Sequence, residues 1–334
     1  HNALTGKKTS ASITTKYDGS PSIVFGHHPE NGKFFVASKS AFNKNPKINY
    51  TASDIDKNHG HSQGLSDKLK TALKHLPKVT PSEGVYQGDI MHSGVKSKEN
   101  PNGDAQMFGG QAHFKPNTIT YSTKGKEGEA VGKSKIGVAV HTAYHGPSFS
   151  DLKASYNVGS KEFKPHPDVH MVDVDHHPEK SKYTDQQQKS FADHMAQAEE
   201  AHKELSKSGG YNAFQGHTDH IKTYINRTVR EGGKPTSEGY SAHVTEHHAK
   251  AAEKVKTPAA KSAKIAAGKA LVGGVKKNQA HFDNLWKMHH HLQAAKNELV
   301  HALSTHTTYG HSIGGTKVKP EGFVASINNR PTKL

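Results

Sequence analysis

Lys16 is the residue in this chain best placed to do covalent chemistry. It stands in the run Thr14-Thr15-Lys16-Tyr17-Asp18-Gly19, which leads into Ser20-Pro21-Ser22-Ile23-Val24-Phe25-Gly26. A lysine amine that has shed its proton is a nucleophile able to form a covalent intermediate. The free side chain titrates near ~10.4, so desolvation or neighbouring cations must lower that value before the amine attacks at neutral pH. The elements that position Lys16 are legible nearby. Ser22 to Phe25 is short, β-branched and aromatic, Asn31-Gly32 is a turn signal, and Phe34-Phe35-Val36-Ala37 supplies a return strand. Two apolar runs joined in this way predict an antiparallel hairpin, with Lys16, Asp18 and Gly19 on the approach to it.

Further segments follow in a definite order. Ser38-Lys39-Ser40 closes the hairpin, Glu83-Gly84-Val85-Tyr86-Gln87-Gly88-Asp89-Ile90-Met91 is a Gly-acidic strand, and Lys135 to Tyr144 reads as the strand after it. Near the end come Pro320-Glu321-Gly322-Phe323-Val324-Ala325 and Arg330-Pro331-Thr332-Lys333-Leu334. Taken in order with Lys16-Tyr17-Asp18-Gly19, these segments resemble the motifs of the covalent nucleotidyltransferases, the family of ATP-dependent DNA ligases, RNA ligases and mRNA capping enzymes.

The resemblance implies a set of roles. Lys16 would attack the α-phosphorus of ATP and carry the nucleotidyl group as a phosphoramidate. Asp18 and Gly19 would shape the loop and hold the ribose, with Thr15 beside them. Lys39 and Lys333 would neutralise phosphate and depress the Lys16 pKa, and stacking on the base would fall to His141, to Tyr144 or to a residue elsewhere in the chain. Asp89 and Glu321 would hold Mg²⁺, or Mn²⁺, since hard cations take oxygen ligands. A 5′-phosphorylated end of DNA or RNA would accept the nucleotide. Several positions depart from the family pattern. Thr14 stands where many ligases carry a glutamate that reads the adenine amino group, which leaves GTP open beside ATP. Lys39 replaces a common arginine and turns a bidentate clamp into a point charge. Asp89 is the shorter acid, and Val140-His141 stand where an aromatic is expected. Two alternatives therefore stay open: a non-catalytic structural protein that keeps the fold, such as a particle-associated phage virion protein, and a capping-type guanylyltransferase.

Composition sets the frame. The 334 residues are 32% hydrophobic, and 45 Lys and Arg against 30 Asp and Glu give a formal charge of +15 with histidines neutral. A basic field of that size favours polyanions such as nucleic acid. No apolar run is long enough to span a membrane. The absence of cysteine excludes disulfides and thiolate metal sites and fits a cytoplasmic or other intracellular compartment. The first residues, His1-Asn2-Ala3-Leu4, and an end one residue after Lys333 lead to the expectation of a minimal module, a fragment or a matured product, such as one packaged in a virus particle.

The expected fold class is α+β, with antiparallel sheets forming a nucleotide cleft from residues 1–180 and 307–334 and a helical insertion over 181–306. Within the insertion, Thr184 or Asp185 caps a first helix with Phe191, Met195, Ala198 and Leu205 on one face. Phe214, Ile221, Tyr224, Ile225 and Val229 mark a second helix, and a third runs from about Ser237 to Lys256. Thr257-Pro258 opens an alanine-rich helix that Gly273-Gly274 is expected to interrupt. Phe282, Leu285, Trp286, His289, Leu292, Leu299 and Leu303 keep helical spacing in the last. The expectation is a bundle with Trp286 buried, and a protein partner is a second use for its surface. The 28 histidines include the pairs His27-His28, His176-His177 and His247-His248 and the triplet His289-His290-His291. Asp173-Val174-Asp175-His176-His177 is the densest cluster of oxygen and imidazole donors, a candidate for zinc or manganese against a default of exposed histidines.

Overall fold

A computed structural model describes residues 1–207 and 209–334. The protein is α+β, and it divides into two compact units, His1–Lys182 with Ala302–Leu334, and Tyr183–His301. Among the described residues no helix is long and apolar enough to cross a membrane.

The first unit is built on three sheets. The largest has β2 (Ser22–His27), β3 (Phe34–Ala37), β4 (Val85–His92) and β8 (Ile136–His145) in antiparallel contact, with β9 (Lys153–Ser155) on β8 and β10 (Val169–Met171) joined to β8 in parallel. Alternation on β2 divides the side chains between two apolar layers. Ile23 and Phe25 pack with Val36, Ile90, Val138 and Val140 against α1 (Ala52–His59) and α2 (Gln63–His75), through Ile55, Leu69 and Ala72. Val24 points the other way and packs with Phe35, Ala37 and Val85. Helix α1 opens on a capping box, in which Thr51 Oγ1 accepts from the Asp54 backbone N–H and the Asp54 carboxylate accepts from that of Thr51. The hairpin turns through His28 to Lys33, with Gly32 at φ +66° and Asn31 Oδ1 accepting from Lys33 N.

A second sheet is a meander of β5 (Ala105–Phe108), β6 (Gln111–Phe114) and β7 (Thr120–Thr123), flanked by α3 (Gly125–Lys133). It is completed by β11 (Gly310–Ile313) and β12 (Thr316–Lys317) from the far end of the chain. Tyr17 meets Tyr121 and Tyr309 edge-on at 5.6 Å in the core beneath it. The third sheet has β1 (Ser12–Lys16) and β14 (Arg330–Lys333) on either side of β13 (Gly322–Ile327), all antiparallel.

A buried polar chain crosses the first unit. The Gly94 N–H donates to His92 Nδ1, so His92 carries its proton on Nε2 and donates to His170 Nδ1 at 3.2 Å. His170 Nε2 then donates to Glu127 Oε2 at 2.9 Å, which also accepts from the Tyr309 hydroxyl. Every proton in the chain is assigned by the one before it.

The second unit is helical: α4 (Asp185–Lys207), α5 (Thr218–Arg230), α6 (Ser237–Glu253), α7 (Pro258–Lys277) and α8 (Gln279–Leu303), the last running past the unit's boundary. Thr184, Thr236 and Thr257 each accept a backbone N–H from the first turn that follows. Trp286 is buried with Tyr224, Tyr240, Val244, Val275 and Phe282. Three expectations need correction. Gly273-Gly274 does not interrupt α7, which continues to Lys277 because Val275 beyond the pair is anchored in this core. Phe214 lies in a short 3₁₀ turn before α5 and packs against the core from there. Met195, Val229 and Leu292 share the helical spacing of the core residues yet are 40%, 61% and 44% exposed.

Candidate functional site

A cleft of about 570 Å³ opens in the first unit. Its walls come from chain segments far apart in sequence, and their register explains why they meet. In the small sheet Thr14 pairs with Val324, which pairs in turn with Lys333, so these three lie in one row across β1, β13 and β14 and all line the cleft. Lys16 lies two residues along β1 on the same face. Lys39, at the start of the 3₁₀ turn after β3, adds a second exposed ammonium, while Gln87 and Asp89 of β4 and Ala139 and His141 of β8 form another wall.

Lys16 sits under opposing influences. Burial, and after it the nearby Lys333 ammonium, push its amine below the ordinary lysine range, while the Asp18 and Asp89 carboxylates pull it up. Glu321 Oε1 forms an ion pair with Lys16 Nζ, which favours the ammonium. The amine is thus held charged by a partner that stands next to Gly322, the residue opposite Lys16 in the β1–β13 ladder.

His141 owes its position to a β-bulge. Gln87 pairs with Thr142 and Gly88 with Val140, leaving His141 as the extra residue on β8. A bulge re-aims a side chain that strict alternation would send elsewhere, and here both His141 and Thr142 reach the cleft. His141 Nε2 is 3.9 Å from Asp89 Oδ2, and its Nδ1 is 2.8 Å from Thr142 Oγ1. Burial pushes the imidazole below its ordinary range and outweighs the opposing pull of the Asp89 carboxylate.

Lys16, Thr15, Lys39, Asp89, His141 and Lys333 all line the cleft, and Asp18, Gly19 and Glu321 are not among its lining residues. The Asp18 carboxylate accepts from Asn117 Nδ2 at 2.7 Å, Thr118 N at 2.8 Å and Ile119 N at 3.1 Å. Burial raises its pKa, but these hydrogen bonds win and hold it below the usual range. Asp18 therefore fastens the lysine loop to the turn before β7. Gly19 has a steric role: a Cβ there would lie 2.5 Å from Asp89 Cβ and 2.9 Å from Met91 Sδ. Only glycine lets the loop pass this close to the Asp89 strand.

Glu321 pairs with Lys16 and Asp89 adjoins His141, so the two carboxylates expected to share a cation have different nearest partners. The Asp173 to His177 run does not gather either. Asp173 Oδ1 accepts from Asp175 N, His176 Nε2 is shared with Ser181 Oγ, and His177 pairs with Glu179. Sequence reasoning missed Gln87, Thr142 and Tyr156 as lining residues. Gln87 is two residues before Asp89 on one strand face, a signal that was present. Thr142 depends on the bulge and Tyr156 on a loop, and neither has a local signature.

The whole chain, residues 1–334, matches the model of a family described as a family of unknown function (DUF6267), and the chain belongs to that family. No curated protein and no solved structure matches it.

Proposed function

We propose that this chain is a nucleotidyltransferase of the polynucleotide-ligase type, with Lys16 as the nucleophile and ATP as the nucleotide donor. The observation that carries the reading is the meeting of Lys16, Lys39, Asp89, His141 and Lys333 around one cleft. They come from five separate stretches of chain, and each had been assigned a role on sequence grounds alone.

In this reading the Lys16 amine attacks the α-phosphorus of ATP. A P–N bond forms, the P–O bond to the β-phosphate breaks, pyrophosphate leaves with the electron pair, and the amine proton passes to solvent. A 5′-phosphate oxygen of a nucleic-acid end then attacks the same phosphorus and the P–N bond breaks, returning the amine. A 3′-hydroxyl attacks the activated end and releases AMP. Lys39 and Lys333 neutralise phosphate charge, and His141, Tyr144 and Tyr156 present rings to the base. Mg²⁺ binds through one or two carboxylates and otherwise keeps water and phosphate oxygens. Asp89 with the Gln87 amide suits such a site, and Glu321 joins it only on leaving Lys16. When bound, the ion supplies charge neutralisation on the triphosphate.

Incubation with ATP or GTP radiolabelled at the α-phosphate, followed by denaturing electrophoresis, tests the reading. Label from ATP that is acid-labile, alkali-stable and absent from Lys16→Ala supports it, and equal labelling of wild type and variant overturns the assignment of Lys16. Label from GTP alone points to capping-type chemistry. A second reading, a non-catalytic or particle-associated protein that keeps the cleft, is favoured by the pairing of Lys16 with Glu321 and by the full engagement of Asp18. Absence of label from both nucleotides supports that reading.

A further inference from the structure

Three histidines of the helical unit converge without serving its core. His220 is on the first turn of α5, and His247 and His248 are on the last turns of α6. One ring nitrogen from each lies within 4.8 Å of the others, and among the described residues this is the one group of three or more His, Asp or Glu side chains so disposed. The His220 ring centroid is 4.8 Å from that of His247 and 5.2 Å from that of His248. Nearby imidazoles are otherwise engaged, His243 with Thr223 Oγ1 at 3.0 Å and His217 with the Tyr240 hydroxyl at 2.8 Å.

His248 is prepared for more than packing. Its Nδ1 is 3.0 Å from the Lys264 backbone carbonyl of α7. A carbonyl only accepts, so Nδ1 carries the proton and Nε2 keeps a lone pair. That Nε2 is shielded from solvent and has no hydrogen-bond partner. A backbone carbonyl fixing the far nitrogen is the usual second support of a metal-binding histidine. The position of the ring depends on Gly268 in the middle of α7. A Cβ there would come within 2.7 Å of His248 Cβ and 3.0 Å of its Cγ. Glycine is disfavoured against alanine inside a helix, and at this point it opens the space the imidazole occupies.

We propose that His220, His247 and His248 form a binding site for a divalent first-row transition metal, with zinc as the ion that fits best. Three imidazoles and no carboxylate in the group suit zinc, nickel or copper, not magnesium or calcium. Zinc holds imidazole nitrogens at ~2.0–2.1 Å, which in a tetrahedron sets them roughly 3.3 Å apart. The site would tighten from within 4.8 Å to that spacing on binding, and His247 is exposed, with room for its side chain to move. Three protein ligands leave a fourth position for water or another ligand. The ion ties α5 to α6, and Lys264 brings in α7.

The test uses the full chain, first stripped with chelator. Zn²⁺ is titrated by calorimetry and Co²⁺ by visible absorption, in wild type, in His220→Ala/His247→Ala and in His27→Ala/His28→Ala. Wild type and the His27/His28 control are expected to bind one tight equivalent and to give the intense bands of tetrahedral cobalt. The His220/His247 variant is expected to lose both, with affinity down ~100-fold or more. Zn²⁺ is expected to raise the unfolding temperature of wild type and leave that of the variant unchanged. Weak binding of equal stoichiometry in all three proteins overturns the site and leaves generic histidine binding. Should the double variant fail to fold, His247→Gln, at an exposed position, carries the same comparison.

Discussion

Glu321 and Lys16 form an ion pair one residue away from the point where Gly322 faces Lys16 across the β1–β13 ladder. The carboxylate thereby stands immediately before the strand that pairs with the lysine's own. Both side chains are about one-third exposed, so solvent screens the pair and its contribution to stability is small. Its consequence for reactivity is larger, because an ammonium has no lone pair.

Glu321→Gln removes the anion and keeps the shape. With burial and Lys333 then less opposed, the Lys16 pKa is expected to fall further. The rate of amine modification at Lys16, followed by peptide mapping across a pH series, should rise several-fold near pH 8. A profile equal to that of wild type would show that Glu321 does not govern the proton.

Asp18→Ala separates anchoring from nucleotide binding. Three donors of the 117–119 turn lose their acceptor, at a cost of ~1–2 kcal/mol or more in denaturant unfolding. Asp18→Asn keeps one oxygen and should cost less. If the ribose were the partner instead, nucleotide affinity would drop while stability stayed level.

The ladder of Lys16 against Gly322 shows what sequence could and could not supply. The strand Ser22–His27 was legible from its β-branched and aromatic run, Val85–His92 as a Gly-acidic segment, and Thr184 and Thr257 as helix caps, whereas the Thr236 cap was not read. The anchoring of Asp18 was not legible because its partners lie 99 to 101 positions away, and no local pattern records such a contact. The His141 bulge is a property of how two strands pair, which neither strand carries alone. The meander from Ala105 to Thr123 escaped notice because its strands are short and its closing strands come from after residue 309. Gly273-Gly274 shows tertiary packing overriding propensity, since α7 gains the burial of Val275 by continuing.

Acid is expected to loosen the first unit before it protonates ordinary carboxylates. His92 is fully buried and held well below its usual pKa by burial and by His170, and His176 is held at about 4 by burial. Both are bases whose folded pKa is lowered, so the folded state takes up fewer protons than the unfolded chain. Their stabilisation is present above the unfolded value of ~6.5 and is lost as pH falls from there towards the folded values. Glu127 adds to the same trend at lower pH, because the hydrogen bond from His170 keeps its carboxyl below the usual range. Unfolding midpoints should therefore decrease from pH 7 to pH 4, and His176→Gln should flatten the upper part of that slope. A midpoint that rises on acidification would contradict the assignment.

The helical unit provides the last test, because its lone tryptophan makes it separately visible. Trp286 is the only tryptophan of the chain and is buried in the helical core, so its fluorescence reports that unit directly. Lys250, Lys254, Lys256, Lys261 and Lys264 are exposed around the turn between α6 and α7, and among the described residues Lys250 alone of the five forms an ion pair, with Glu246. Exposed lysines that meet a polynucleotide release counterions, and each phosphate contact contributes about 0.7 to 0.9 to the slope of log affinity against log salt. Replacing Lys254, Lys256, Lys261 and Lys264 by glutamine should leave the Trp286 emission and any Lys16 labelling unchanged. It should reduce the salt slope of binding to single-stranded and duplex DNA by about one for each lysine that touches phosphate. Removing residues 183–301 should abolish the same component while the cleft of the first unit keeps its label. If binding and its salt slope stay at wild-type values in both variants, these lysines do not hold nucleic acid, and a protein partner becomes the better account of the helical unit.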